Sequence, residues 1–396
     1  MITPNTGLSL QKRAVQAFRE RYENDPTAIV RAPGRVNLIG EHTDYNEGYV
    51  LPMAIDRAVW IALQPRTGDN VQVYSLDFDE AVTFSLDAVR HLGANSGEHW
   101  GEYLKGTAWA MQERGYTLRG WEGVMAGDIP MGAGLSSSAA LEVATARALA
   151  HVAGIPSDPA TMALIAQRAE NRWVGIQCGV MDQMISAAGE ADHALLIDCR
   201  SLQTEPVPLP PGTVCVIMDT STRRGLVDSA YNERRRQCEA AAAHFSVSFL
   251  RDVTLDAFIE QADMLDAVTR RRARHVITEN ARTLQAAKVM RMGDAESLGR
   301  LMNASHASLR DDFQVSSREL DAMVSLAQQH AACYGARMTG AGFGGCAVAL
   351  VDAARCTAFA EEVGQAYEAE TRLMPAVYIS TAAAGASVYV PDESGR

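Results

Sequence analysis

Apolar and polar positions alternate along the chain with two different periods, which predict helices mixed with strands. Residues 11–23 have the 3.6-residue apolar period of an amphipathic helix, and residues 28–32 form a β-like run that ends at Pro33-Gly34. Short apolar runs separated by Gly and Asp predict several strands between residues 50 and 86. Helices are expected over residues 103–114 and 135–152, with a strand over residues 123–126 between them.

The second half of the pattern is also mixed. Asp158 and Pro159, a capping residue followed by a first-turn proline, predict a helix that runs to about Trp173. Further strands are expected over residues 194–198, 214–218 and 346–351, and helices over residues 228–243 and most of 256–310. The proline-rich segment 206–211 is the best candidate for a linker. The sequence therefore predicts an α+β chain with two domains, residues 1–205 and 206–396.

Length and charge support two domains and exclude some partners. A chain of 396 residues is too long for one ordinary core. The net charge of −12 argues against a nucleic-acid or anionic-membrane partner, which would need a cationic face. We expect the basic runs at residues 234–236 and 270–274 to lie on salt-bridged or solvated helix faces. We expect no transmembrane span and no signal peptide, because residues 1–10 lack a basic region and a long apolar run.

The seven cysteines are scattered along the chain and form no CxxC pair, and no histidine cluster accompanies them. This pattern argues against a zinc site. An odd number of scattered cysteines is typical of reduced thiols, so the expected compartment is the cytoplasm.

The first of three glycine-bearing segments, residues 31–48, concentrates Arg, Glu, His and Asp in what the pattern predicts to be a short loop between two strands. Carboxylates and an imidazole hydrogen-bond hydroxyl groups in fixed directions, so this composition is suited to a pocket for a polyol. A capped turn with surface charges is the alternative.

The second segment, residues 127–141, predicts a strand, a glycine-rich turn and a helix that opens with three serines. Glycines allow backbone N–H groups to approach an anion, and a helix N-terminus carries about half a positive charge. This indicates a phosphate site. Ala133 stands where a Walker loop would carry lysine, which excludes the usual P-loop. A turn with one capping serine is the alternative.

The third segment, residues 340–345, contains a literal GxGxxG. A dinucleotide-binding loop leads into a helix, whereas residues 346–351 predict a buried strand, so a Rossmann site is not expected. We expect these glycines to let the backbone pass close to another loop or to a ligand.

Together the three segments resemble the signature motifs of the GHMP small-molecule kinases, and residues 34–46 resemble those of the galactokinase subgroup. The resemblance spans essentially the whole chain. It includes residues 169–171, 179–183, 231–235 and 310–313. One departure is Ala341, where members of the family usually have glycine; a methyl group is tolerated there unless the residue needs a positive φ.

The resemblance implies a fold, a reaction and a set of ligands. The N-terminal domain would be similar to the ribosomal S5 domain-2-like fold, the C-terminal domain would be ferredoxin-like, and the active site would lie in the cleft between them. The implied activity is transfer of the γ-phosphoryl group of ATP, with magnesium, to the 1-hydroxyl of galactose. The expected protein is a monomer in the cytoplasm.

The resemblance also implies residue roles. Asp182 would accept the proton of the sugar hydroxyl, with Arg35 beside it to stabilise negative charge. Ser138 and Glu170 would bind magnesium. The expected sugar contacts are Glu41, His42, Thr43, Asp44 and Tyr231, and the expected nucleotide contacts are Gly132, Ala133, Gly134, Leu135, Ser136, Ser137 and Ser138.

Alternatives remain at three of these positions. Asp182 precedes an apparent helix start and could be a helix N-cap. Glu170 could lie on the solvent side of its helix, and His42 could brace its loop. For the whole protein, the alternatives are a kinase for a related substrate, such as N-acetylgalactosamine, arabinose, mevalonate or homoserine, and a non-catalytic sugar and ATP sensor. The residues at 41–44 favour a sugar over mevalonate or homoserine, and the retained Asp182 argues against a sensor.

Overall fold

The computed structural model describes residues 7–89, 100–223 and 227–391. Residues 1–6, part of the segment considered above for a signal peptide, lie outside this range. The strands are β1 (Ala28–Asn37), β2 (Tyr49–Val50), β3 (Pro52–Pro65), β4 (Asn70–Ser75), β5 (Glu80–Ser85), β6 (Trp121–Gly127), β7 (His193–Asp198), β8 (Thr204–Pro208), β9 (Thr213–Asp219), β10 (Cys333–Thr339), β11 (Cys346–Asp352), β12 (Ala376–Ser380) and β13 (Ser387–Tyr389). The helices are α1 (Gly7–Tyr22), α2 (Gly101–Glu113), α3 (Ser137–Ala153), α4 (Pro159–Arg168), α5 (Met181–Ala188), α6 (Val227–His244), α7 (Leu255–Gln261), α8 (Ala267–Arg291), α9 (Ala295–Ser308), α10 (Arg318–Gln329) and α11 (Cys356–Thr371).

The first half of the chain is built on a six-stranded sheet with the order β13-β1-β3-β6-β4-β5. Its pairs are antiparallel except β4 with β6. Helix α3 packs on β1 and β3, and its nearly uncharged sequence is explained by burial along most of its length. A second, three-stranded sheet with the order β2-β7-β8 lies beside this layer.

The second half contains a four-stranded antiparallel sheet with the order β10-β11-β9-β12. Along the chain these strands follow one another as β9, β10, β11 and β12, so the sheet places the first strand between the third and the fourth, with the second strand at the far edge. This is the spatial order of a β-α-β-β-α-β ferredoxin-like unit. Helices α10 and α11 pack on this sheet, and helices α6 to α9 extend the connection between β9 and β10. The predicted α+β class and the ferredoxin-like second half are confirmed.

Most elements predicted from periodicity are present, including the capped start of α4, where the Asp158 side chain accepts from the backbone N–H of Thr161. The buried helix predicted from residue 135 begins two residues later, at Ser137. Arg236 and Arg270 form salt bridges as expected, with Glu233 and Asp263. The prediction is wrong for Arg272, which is buried and donates to Gln237 and to the carbonyl oxygen of Asp312. In the described residues, no helix is long and apolar enough to cross a membrane.

Strand β1 does not end at Pro33-Gly34 as predicted. It continues to Asn37, with a shift of its register against β3 between Pro33 and Arg35. A Cβ atom at Gly34 would lie 2.7 Å from the carbonyl oxygen of Leu135, and the N–H of Arg35 donates to that same oxygen at 3.1 Å. Glycine at this bulge therefore lets β1 lie directly against the second glycine segment, and it places Arg35 on a strand rather than in a loop.

The segment predicted as a linker, residues 206–211, begins inside β8. Proline is compatible with β8 because this strand lies at the edge of its sheet, where a missing N–H costs no ladder bond. The chain also returns to the first sheet at its end, since β13 pairs with β1. The division into residues 1–205 and 206–396 therefore stays a prediction.

Helix α9 lies so close to β10 that only glycine fits at residue 299. A Cβ atom there would lie 1.9 Å from the carbonyl oxygen of Tyr334. We expect Gly299→Ala to lower the free energy of unfolding by about 1–3 kcal/mol, because helix and strand must move apart. Gly364→Ala in α11 is the matched control: its nearest neighbours would be at 3.8 Å, so a neutral or slightly stabilising effect is expected. Chemical denaturation of both variants checks this, and equal midpoints would contradict the close approach.

Candidate active site

The three glycine-bearing segments meet around one cavity of about 740 Å³. It opens between the six-stranded sheet and the four-stranded sheet, so both halves of the chain contribute to it. The predicted site residues that line it are Arg35, Glu41, His42, Asp44, Gly132, Gly134, Leu135, Ser136, Ser137, Ser138, Glu170, Asp182 and Tyr231. The third segment, residues 340–345, lines it as well.

Two predicted residues do not line the cavity. The Thr43 hydroxyl group lies within its own loop, 2.8 Å from the carbonyl oxygens of both Gly40 and Tyr49. Ala133 is fully buried, and its carbonyl oxygen lies against Gly345 of the third segment. Both residues therefore support the loops that carry the site rather than face its interior.

The centre of the cavity holds a bidentate ion pair between Arg35 on β1 and Asp182 in the first turn of α5. Nε and Nη2 of Arg35 donate to the two carboxylate oxygens at 2.8 and 2.7 Å. The third contact of the guanidinium is to the carbonyl oxygen of Gly134 at 2.5 Å, and the Ser136 hydroxyl group donates to Asp182. Burial lowers the pKa of Arg35, but the Asp182 and Glu41 carboxylates outweigh it, so the net direction is upward. Val180, not Asp182, occupies the N-cap of α5.

The second segment forms the turn between β6 and α3. Gly132 and Gly134 have positive φ angles of 66° and 77°, and Ser136 adopts a left-handed conformation with φ of 61°. Helix α3 begins immediately afterwards, with Ser137 and Ser138 on the cavity surface. The free N–H groups and the positive end of a 17-residue helix are thus at the cavity, which is the arrangement expected of an anion site.

Glu170 lies behind this helix N-terminus, in a π-helical turn, Ala169–Val174, that continues α4. It is buried, so the solvent-side alternative is wrong. Its carboxylate accepts from the Ser138 hydroxyl group at 2.9 Å and from the Gln183 amide at 2.6 Å. Burial and the nearby Asp182 charge raise the pKa of Glu170 to about 7.

The loop after β1 brings two more carboxylates to the cavity. Burial raises the pKa of Glu41 to about 7, although Arg337 and Arg35 act in the opposite direction. Burial and the Asp182 charge raise the pKa of Asp44 to about 6. Both residues line the cavity together with the glycine-rich turn before α3.

His42 lies between these carboxylates, with a left-handed φ of 62°. Its Nδ1 is 3.0 Å from the Tyr45 hydroxyl group and its Nε2 is 3.2 Å from the carbonyl oxygen of Ala341. Burial lowers the pKa of His42 to about 3, so the ring is neutral. These contacts favour the bracing alternative, in which the imidazole links the first and third segments.

The aromatic ring of Tyr231, on α6, packs at 5.4 Å from His42 and closes this side of the cavity. Ala341 does not have a positive φ, so its methyl group is compatible with the third segment.

The sequence did not single out several functional candidates. Arg223, which pairs with Asp219, and Cys178 both line the cavity. Arg337 lies behind Glu41 on β10 and is fully buried. The available signal for Arg337 was its position between the apolar residues Ala336 and Met338, since a buried cation needs a carboxylate partner.

Comparison with known proteins identifies three matching families along the chain. The galactokinase galactose-binding signature matches residues 16–65, the GHMP kinase N-terminal domain residues 102–190 and the GHMP kinase C-terminal domain residues 283–369. A galactokinase from Roseiflexus sp. (strain RS-1) is 47% identical over 375 residues, which is 93% of this chain and 95% of that protein.

Solved structures give the same result. Lactococcus lactis galactokinase, crystallised with galactose, is 36% identical, with a TM-score of 0.90 over 94% of this chain and 98% of that one. A mevalonate kinase is 16% identical, with a TM-score of 0.63 over 89% of this chain and 98% of that one, and shares the fold.

Proposed function

The chain belongs to the galactokinase family of GHMP kinases, as an enzyme that transfers the γ-phosphoryl group of ATP to the 1-hydroxyl of galactose, and we propose that Asp182 and Arg35 carry this transfer. The observation that supports the roles is the bidentate Arg35–Asp182 pair, which lies where all three motif segments line one cavity. The carboxylate and the guanidinium are thus held together at the position where a sugar hydroxyl and a phosphate would meet.

In the proposed reaction, Asp182 accepts the proton of the galactose 1-hydroxyl. The hydroxyl oxygen of the sugar forms a bond to the γ-phosphorus, and the bond between that phosphorus and the oxygen of the leaving ADP breaks. Arg35 orients the carboxylate through its bidentate contact and offsets the negative charge on the transferring group. The N–H groups of residues 132–138 and the N-terminus of α3 bind the phosphates of the nucleotide.

Magnesium fits the oxygen donors next to this helix. The Ser138 hydroxyl and the Glu170 carboxylate both line the cavity and are 2.9 Å apart. In the described residues no group of three or more His, Cys, Asp or Glu side chains could hold a metal, so phosphates and water would complete the coordination. When bound, magnesium would supply positive charge that offsets the charge of the phosphates. Ser138 and Glu170 would hold and orient it.

For the sugar, we propose that Glu41 and Asp44 accept hydrogen bonds from galactose hydroxyls, while His42 and Tyr231 line the pocket and Thr43 supports the loop from behind. The two carboxylates are partly or fully buried, and both face the cavity. Hydroxyl donors would compensate their burial, which favours a hydroxyl-rich substrate.

Two further proposals concern the state of the protein. We propose that it acts as a monomer, since residues of all three motif segments of one chain line the cavity. We also propose a cytoplasmic location, which the seven free cysteines support.

The role of Asp182 is tested by Asp182→Asn, which keeps the shape and removes the charge. We expect kcat to fall by at least ~10²-fold, the usual scale for a general base, with galactose binding largely retained. Asp128→Asn is the matched control, because Asp128 forms a mostly buried pair with Arg57 and does not line the cavity. It should change kcat less than ~3-fold. Near-normal turnover of folded Asp182→Asn would disprove the role.

The magnesium site is tested by Glu170→Gln. We expect a higher magnesium concentration for half-maximal rate, because one anionic ligand becomes neutral. Glu113→Gln is the control: Glu113 pairs with Arg168 of α4 on the surface, away from the cavity. If the magnesium titration of Glu170→Gln overlays that of the parent, Glu170 is a structural residue only.

The sugar contacts are tested by kcat/KM for galactose and for its 4-epimer, glucose. We expect the parent to prefer galactose by as much as ~10⁴-fold, because the epimer leaves a buried carboxylate unpaired. Asp44→Ala should lower activity on galactose and narrow the ratio. Glu47→Ala, in the same loop but with its carboxylate on Arg200 outside the cavity, should leave the ratio unchanged. An unmoved ratio in Asp44→Ala would remove Asp44 from the sugar site.

A further inference from the structure

Arg337 is a fully buried arginine that the proposed reaction does not use. It lies on β10 between Ala336 and Met338, both part of the apolar core of the second half. Its Nη1 donates to the carbonyl oxygen of Asn37 at 2.9 Å, and its Nη2 donates to Oε2 of Glu41 at 3.0 Å. It does not line the cavity. A guanidinium removed from water is costly unless it is paired, so this position calls for an explanation.

The second carboxylate near Arg337 is Glu279 on α8, and its own contacts are already made elsewhere. Its Oε2 accepts from Arg282 at 2.8 Å, and its Oε1 accepts from the Ser305 hydroxyl group and from the backbone N–H of Gly40 at 3.0 Å. The separation from Arg337 is 4.0 Å. Glu41 is therefore the carboxylate that Arg337 contacts directly.

Elements of the second half hold the segment at residues 40–41 at three points. Glu279 accepts from the N–H of Gly40, His275 lies with its Nε2 3.0 Å from the carbonyl oxygen of Glu41, and Arg337 donates to the Glu41 side chain. Only the last contact acts on the group that faces the cavity. It is made from the side away from the cavity, so a ligand does not have to displace it.

We infer that Arg337 is a positioning residue for sugar binding, which fixes the ionised Glu41 carboxylate in the cavity. The inference rests on the proposed contact between Glu41 and galactose. Arg337 would act through Glu41 and would touch neither substrate. Within the described residues, Arg337 is the cation that forms an ion pair with Glu41.

The charge balance at Glu41 gives the direction of the pH effect. The charged and titratable groups that act on it are Arg35 on β1, Asp182 on α5, Arg337 on β10, and Glu279 and His275 on α8. Burial raises the pKa of Glu41 to about 7, and Arg337 is the strongest influence that lowers it. Loss of Arg337 raises this pKa further. At a fixed pH near neutrality, the ionised fraction of Glu41 therefore falls. In the profile of galactose kcat/KM against pH, the decline on the acid side, which we call the acid limb, moves to higher pH.

The test measures kcat, KM for galactose and KM for ATP from about pH 6 to about pH 9, a range that brackets this titration. Arg337→Met should raise KM for galactose by about tenfold or more, since a buried charged contact is lost. KM for ATP should change less than about twofold, and the acid limb should move upward. Arg337→Lys should recover part of both effects, because it restores the charge without the fork geometry.

Arg282→Met is the matched control. It removes a cation from the same buried network, but one that contacts Glu279 and not Glu41. It should lower thermal stability without moving the acid limb. An equal shift of that limb in Arg282→Met and Arg337→Met would overturn the inference, because it would mean that any nearby cation suffices.

Glu41→Gln separates the inference from the proposed function beneath it. If Glu41→Gln leaves KM for galactose unchanged, the proposed sugar contact fails and the inference fails with it. If Glu41→Gln raises KM but Arg337→Met does not, only the inference fails. The double variant should be no worse than Glu41→Gln in KM, and it should be more stable than Arg337→Met because no unpaired charge stays buried. If Arg337→Met does not fold, the double variant and Arg337→Lys are used for the same test. The inference is overturned if the changes at Arg337 and Glu41 raise KM for galactose additively.

Discussion

The ion pair between Arg35 and Asp182 is the interaction on which the arrangement of the site depends. Arg35 lies on β1, Asp182 on α5, and the third contact of the guanidinium is the carbonyl oxygen of Gly134 in the turn before α3. One side chain thus joins a strand, a helix and the glycine-rich turn before α3. A buried guanidinium tolerates few other positions for its carboxylate, so the geometry of Asp182 follows from the burial of Arg35.

In the other half of the molecule, Arg337 is a second buried arginine that pairs with a carboxylate of the cavity. The acidic groups of the cavity therefore differ in whether they have an arginine partner. Asp182 and Glu41 each have an arginine partner. Asp44 and Glu170 form no ion pair in the part of the chain that the structure describes, and burial raises their pKa to about 6 and about 7. Burial raises the pKa of Glu41 to about 7 as well, so its arginine partner does not fully offset the effect of burial. Under the proposed function, ligands would compensate the rest: hydroxyl groups at Glu41 and Asp44, and a cation at Glu170.

Periodicity and local signals predicted the elements well, because apolar spacing and capping are local properties: α4 begins at its capped Asp158-Pro159, and β11 follows the third glycine segment as expected. Local signals were wrong where pairing overrides propensity. Pro33-Gly34 lies inside β1 because the bulge is stabilised on both sides, by β3 and by the turn at Leu135. The motifs predicted which segments meet, but not which side chains face the cavity. Thr43 and Ala133 were therefore predicted as ligand contacts, although both are buried behind the cavity surface. The contact between Glu41 and Arg337 joins residues 296 positions apart, so no local sequence pattern predicts it.

His42 shows how the first and third segments depend on each other. The carbonyl oxygen of Ala341 can only accept, so the Nε2 atom of His42 carries the proton in this contact, and Nδ1 accepts from the Tyr45 hydroxyl group. Because burial lowers the pKa of the ring to about 3, this neutral tautomer persists across the physiological range. Neither nitrogen is then free for a sugar unless a protein contact is exchanged. The imidazole therefore links the loop after β1 to the third glycine segment at Ala341.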